Sequence, residues 1–184
     1  MAGLYMGDTA VHKVMFSIDD VPGAEDMVAG LIDRSITNIV FPDDMTEVLP
    51  RTFMQCVKLN FDSLPNEITV IGERAFALCT KLSLSTLPAN LVEIQEYAFT
   101  QTDITITSIP ASVQTIGVSA FRYCRKIESL VFEGTPTSID STAFANTTAL
   151  TEIFVPWAEG EVANAPWGAT NATITYNYQN GGTA

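Results

Sequence analysis

Residues 65–88 read PNEITVIGERAFALCTKLSLSTLP, and the same frame recurs from Pro42 to Pro156. Its plainest marker is a phenylalanine, usually after an alanine, at Phe53, Phe76, Phe99, Phe121 and Phe144. The interval between them is constant except from Phe99 to Phe121, where it is one position shorter. Eleven positions before four of these stands a proline: Pro42, Pro65, Pro88 and Pro110. Five positions before each is an aliphatic side chain, Val48, Ile71, Ile94, Ile116 and Ile139. Three positions after each comes a small one: Cys56, Cys79, Thr102, Cys124 and Thr147. A fixed period of this length marks a solenoid, in which each repeat is one coil that only its neighbours can cover. A phenylalanine at one phase of every coil then belongs to a shared core column.

Outward from the phenylalanine, each coil carries a short apolar run ended by a corner residue. The runs are 36–41, 59–64, 82–87, 104–109, 127–132 and 150–155. This is the look of a strand in a stacked parallel sheet, with proline at the corner ending the ladder without an unpaired donor. The register is uneven. Leu59, Phe61 and Leu64 are spaced two then three apart, as are Leu82, Leu84, Leu87 and Ile104, Ile106, Ile109, whereas Ile127, Leu130 and Phe132 are spaced three then two. A small bulge or kink is expected in the middle strands. A second extended piece, such as Ile68–Gly72, leads into the turn that carries Ala-Phe. Gly72 and Gly117 share one slot there while Gln95 also occupies it, so that slot does not demand a positive φ.

The composition narrows the function classes. A chain of 184 residues with 21 acids against 9 bases and a net charge of −12 is a poor ligand for nucleic acid or an anionic membrane surface. No apolar run is long enough to span a membrane, and MAGLYMGDTAVHK lacks a basic region followed by an apolar stretch, so no secretory signal is read there. Three cysteines in one repeat slot that also accepts threonine are expected to be buried and reduced, as in a chain that folds in a cytoplasm.

Residues 1–33 read as an amino-terminal cap: a hairpin over residues 3–16, with the solitary His12 facing outward, and a short helix over residues 24–33. Residues 34–156 form the solenoid, and residues 157–184 a carboxy-terminal cap in which Trp157 and Trp167 cover the last coil and 172–178 add an edge strand.

PNEITVIGERAFALCTKLSLSTLP and PASVQTIGVSAFRYCRKIESLVF resemble BspA-type leucine-rich repeats, found in many bacterial surface proteins and some phage proteins. The resemblance spans roughly residues 34–156. It implies a mainly β fold, a right-handed leucine-rich-repeat solenoid of five coils, each of about 22–23 residues, with caps at both ends. Val48-Leu49-Pro50-Arg51-Thr52 departs from it in lacking Ile-Gly and Ala, and Glu133 replaces a corner proline. The start LYMGDTAVHKV is also similar to phage structural proteins, and the tail WGATN to tails on such repeats in gut bacteria and their phages.

No catalytic constellation is evident. One histidine, His12, would have to serve any Ser-His or Cys-His site, and no cysteine pair has zinc-ligand spacing. Asp19-Asp20 and Asp43-Asp44 lack the spacing of a calcium loop and read as solvated turn acids. A noncatalytic module without metal or cofactor is therefore expected: a structural and binding part of a phage particle, assembled in the bacterial cytoplasm, in a tail, baseplate or fibre. The alternative is an adhesin on the bacterial cell surface. Its partners would be other virion proteins or a host surface protein or glycan, with more than one copy in the assembled context. Asn60, Asp62, Ser83, Ser85, Glu128 and Glu152 are the candidate binding residues, because they project outward from the strands.

Overall fold

The computed structural model describes residues 34–37, 39, 41 and 44–179. The hairpin read over residues 3–16, His12, the helix over residues 24–33, Pro42 and Asp43 lie outside the described residues. The described chain is mainly β, wound as a parallel-stranded solenoid. For reference, coil 1 carries Phe53, coil 2 Phe76, coil 3 Phe99, coil 4 Phe121 and coil 5 Phe144.

Two sheets run along it. The first joins β1 (Glu47–Val48), β2 (Val70–Ile71), β3 (Glu93–Ile94), β5 (Thr115–Ile116) and β7 (Ser138–Ile139), all parallel, one strand per coil. Each strand is two residues long, with its second residue buried beneath the next coil's equivalent. The second sheet joins β4 (Ser108–Ile109), β6 (Ser129–Phe132), β8 (Glu152–Phe154) and β9 (Thr173–Thr175), again in parallel.

The second sheet starts in coil 3, where only Ser108–Ile109 join the ladder, and lengthens in coils 4 and 5. Coils 4 and 5, spaced three then two, form β6 and β8, whereas coils 1 and 2 leave 59–64 and 82–87 extended but unladdered. There the hydrogen bonds are improvised. Ser83 N–H donates to the Asn60 side-chain oxygen at 2.9 Å, Ser85 N–H reaches the Asp62 carbonyl only at 3.4 Å, and Thr105 N–H donates to the Leu84 carbonyl at 2.9 Å. A three-residue step places two consecutive side chains outward and breaks the regular alternation; in coils 1 to 3 it falls just before the end of the run, and in coils 4 and 5 at its start.

The core is a set of columns. Phe53, Phe76, Phe99, Phe121 and Phe144 are fully buried and stacked, with neighbouring centroids 5.1–5.5 Å apart and planes within 10° of parallel. Such offset stacks are a favourable aromatic geometry, worth about 0.5–1.5 kcal/mol per pair beyond burial.

Around each phenylalanine the backbone alternates its bonds. Arg51, Phe53 and Gln55 N–H groups donate at 2.8 Å to the Glu73, Ala75 and Ala77 carbonyls of the next coil, while Thr52, Met54 and Cys56 close turns within their own coil. The alternation goes with left-handed residues two before the aromatic in coils 1 to 4 and two after it in all five. Arg51, Arg74, Tyr97 and Ser119 fill the first position, and Gln55, Leu78, Gln101, Tyr123 and Asn146 the second, all with φ between 51° and 66°. None is glycine, although glycine is the residue that adopts this conformation without steric cost.

Gly72 serves space rather than φ. A Cβ there would lie 2.6 Å from the Pro50 backbone nitrogen and 2.7 Å from the Val48 carbonyl oxygen. Gly117, two coils on in the same slot, is similarly close to the backbone of Gln95 and Glu96.

The tail continues the winding. Trp167 follows Phe144 at the interval that separates most of the phenylalanines, and its carbonyl accepts the Phe144 N–H at 2.9 Å. In coils 1 to 4 that bond goes to the residue before the next aromatic, so the tail is shifted by one position. Trp157 and Trp167 are buried against Phe132, at 5.3 and 5.8 Å between centroids, closing the aromatic column. β9 then lies beside β8 with Thr173 opposite Glu152.

Candidate functional site

The strand face is built from the outward residues of 59–64, 82–87, 104–109, 127–132 and 150–155. Asn60, Asp62, Ser85, Glu128 and Glu152 are exposed and Ser83 is half-buried. They do not converge. Asn60 sits in coil 1 and Glu152 in coil 5, so about 20 Å of ladder separates them at the ordinary inter-strand spacing. The face is a strip rather than a pocket.

Its members divide by what their side chains do. The Asn60 side-chain oxygen accepts both the Ser83 N–H at 2.9 Å and the Ser83 hydroxyl at 2.8 Å, so this pair clamps coil 1 to coil 2. Asp62 and Ser85 meet only through their backbones, which leaves both side chains to solvent. Glu152 lies opposite Ser129 in the ladder, and Glu128 accepts the Thr151 N–H through its carbonyl at 2.9 Å. Adjacent coils thus bring the two glutamates onto one patch, beside the hydroxyls of Thr151 and Thr173.

The small-residue column lies beneath the turns. Cys56, Cys79 and Cys124 are buried and none is in a disulfide. The Cys79 thiol donates to the Phe53 carbonyl at 3.0 Å and the Cys124 thiol to the Phe99 carbonyl at 3.1 Å, each in the preceding coil. Thr102 and Thr147 instead donate to the phenylalanine carbonyls of their own coils, Phe99 at 2.8 Å and Phe144 at 2.6 Å. Burial pushes the Cys124 thiol up to about 12, and burial with the neighbouring Cys56 raises Cys79 further. Neutral, buried thiols are poor nucleophiles.

Two features escaped the sequence reading. The first is an open depression of about 460 Å³ over β3, β5 and β7, lined by Glu93, Glu96, Thr115, Val118, Asp140 and, at its far end, Asn164 of the tail. Val92 and Val118, 41 % and 39 % exposed, put apolar surface in and beside it. Glu93 accepts a hydrogen bond from the Gln95 amide at 3.2 Å. Two-residue strands leave little periodicity from which to read such a surface. The second is a cluster of Arg122, Tyr123 and Arg125, visible in the sequence only when slots are compared coil by coil.

Among the described residues no group of His, Cys, Asp or Glu is arranged to hold a metal ion, and no helix is long and apolar enough to cross a membrane.

The family model for the BspA type leucine-rich repeat region matches residues 46–162 in six copies. A leucine-rich repeat protein from Bacteroides ovatus superimposes with a TM-score of 0.55 at 26% identity, covering 66% of this chain and 32% of that one. The chain therefore spans about a third of the length of that relative. The leucine-rich repeat protein of T. pallidum superimposes with a TM-score of 0.59 at 30% identity, covering 77% of this chain and 70% of that one. No curated protein matches the chain in sequence. The repeat frame, the stacked columns and these likenesses agree: the chain belongs to the BspA-type leucine-rich repeat family.

Proposed function

We propose that the chain is a noncatalytic binding and structural module of a phage particle that presents its strand face to a ligand on the host surface. The observation that carries the binding reading is the exposed strip running from Asp62 and Ser85 to Glu128 and Glu152, whose side chains the fold does not consume. A solenoid offers such a strip at fixed height on every coil, which suits an extended protein or glycan better than a small substrate. The phage reading draws on the chain's ends, LYMGDTAVHKV and WGATN, and their resemblance to phage structural proteins and phage-borne repeats.

A second reading, a bacterial surface adhesin, is favoured by the family match and by the bacterial origin of the two similar structures. Mass spectrometry of purified phage particles, beside a washed cell-surface fraction of the same culture, separates the two. Recovery at a fixed copy number per particle supports the first reading. Recovery from the cell surface alone sinks it in favour of the adhesin.

A further inference from the structure

Comparison of equivalent slots isolates one coil. The residues one, two, four and five after the phenylalanine are Met54, Gln55, Val57 and Lys58 in coil 1, and Ala77, Leu78, Thr80 and Lys81 in coil 2. In coil 5 they are Ala145, Asn146, Thr148 and Ala149. In coil 3 the first three of these slots hold Thr100, Gln101 and Asp103, so outside coil 4 no arginine stands in any of them and a lysine stands only in the last. Coil 4 instead places Arg122, Tyr123, Arg125 and Lys126 in those slots, in a chain of net charge −12.

The arrangement is costly for the protein alone. Tyr123 takes the left-handed slot at φ 61°, which a bulky side chain adopts at a steric cost of about 1–2 kcal/mol. Both guanidiniums gather on its ring, Arg122 at 4.8 Å and Arg125 at 5.4 Å from the centroid, so two like charges share one aromatic. Lys126 is neutralised by Asp103 at 2.8 Å, but neither arginine has a carboxylate in ion-pair range among the described residues. The buried Arg122 Nε has no hydrogen-bond partner among them, an unmet donor on a charged group.

We propose that Arg122, Tyr123 and Arg125 form an anion site that takes the carboxylate of an acidic sugar on a surface glycan. A guanidinium fork matches a planar carboxylate through two parallel hydrogen bonds. The bound anion would relieve the repulsion between the two arginines. The negative shell of the rest of the chain repels a long polyanion, which favours a short acidic oligosaccharide. The site lies on the turn side, away from the strand strip, and stands or falls independently of it.

The test is a titration of the full chain with trigalacturonate, followed by calorimetry and by the Tyr123 ring resonances. Neutral galactose oligosaccharide and inorganic phosphate are the controls. The expected result is saturable binding of trigalacturonate that weakens about tenfold for each guanidinium lost, in R125Q and again in R122Q/R125Q, and is retained in K58Q/K81Q. R125Q alters an exposed residue, so the test survives a folding defect in the double variant. Absence of trigalacturonate binding, binding of phosphate in its place, or equal weakening in R125Q and K58Q/K81Q would each overturn the proposal.

Discussion

Phe99 and Phe121 lie in a parallel, offset stack with centroids 5.5 Å apart and planes 5° from parallel, each fully buried. The contact joins the shortened coil to the next, so the column passes through it without a break. Because each ring covers its neighbours on both sides, Phe99→Ala opens a cavity between two coils that cannot close independently. The expected loss is about 3–5 kcal/mol, and Phe99→Leu should cost clearly less. Urea unfolding of both variants checks this; equal losses would mean that the column is not stacked as described.

Gly72 and Gly160 make opposite predictions about why a glycine is needed. Gly72→Ala drives a Cβ into the backbone of the coil below, at 2.6 Å from the Pro50 nitrogen, and should cost about 1–3 kcal/mol. Gly160 has open space around it but a φ of 85°, so Gly160→Ala should cost about 1 kcal/mol through the backbone alone. Thermal unfolding of the two variants should rank them in that order.

The left-handed residues give a prediction of opposite sign. Gln101 is exposed with φ 58°, and its backbone N–H bonds the Arg122 carbonyl at 2.8 Å whatever the side chain. Gln101→Gly should therefore raise stability by about 0.5–1 kcal/mol, the relief of left-handed strain less the extra chain entropy. A midpoint lowered by this substitution would contradict the assignment.

Much of this arrangement was legible in the sequence because a repeat reports each slot five times. The phenylalanine column, the aliphatic column at Val48 to Ile139 and the small column at Cys56 to Thr147 all follow from spacing. The apolar shift between Ile109 and Leu130 announced an irregular ladder, though not that coils 1 and 2 would lose their strands and clamp through Asn60. The tail was harder. Pro156 and Pro166 disguise the period, yet Trp167 keeps the phenylalanine interval from Phe144 and carries the next backbone bond. Two-residue strands such as Thr115–Ile116 carry no alternation, so the depression above them had no sequence signal. The Arg122–Arg125 cluster had one, in the contrast with equivalent slots.

The cysteine column predicts a pH dependence. Cys124 is raised from its ordinary value of 9.0 to about 12 in the folded chain by burial. Above pH 9 the unfolded chain releases this proton and the folded chain keeps it, so stability falls as pH rises from about 9 toward 12 and is unaffected below. Cys124→Thr should fold, because Thr102 and Thr147 already fill that slot, and should reduce the alkaline slope to the part that Cys79 supplies. Urea midpoints at intervals from neutral to alkaline pH, for both proteins, measure the difference. A slope identical in the two would exclude the thiol as its source.

Binding through the strand strip is tested most directly by capture of the labelled, purified chain on cells of the host bacterium. Asp62 and Ser85 can be changed without touching the Asn60–Ser83 clamp, so Asp62→Arg with Ser85→Arg should leave thermal unfolding unchanged and reduce capture by about tenfold or more. Thr115→Arg, on the short-strand face, should bind like the unaltered chain. Capture that survives the strand-face changes but is lost with Thr115→Arg would contradict the strip as the binding surface and move it to the depression over β3, β5 and β7.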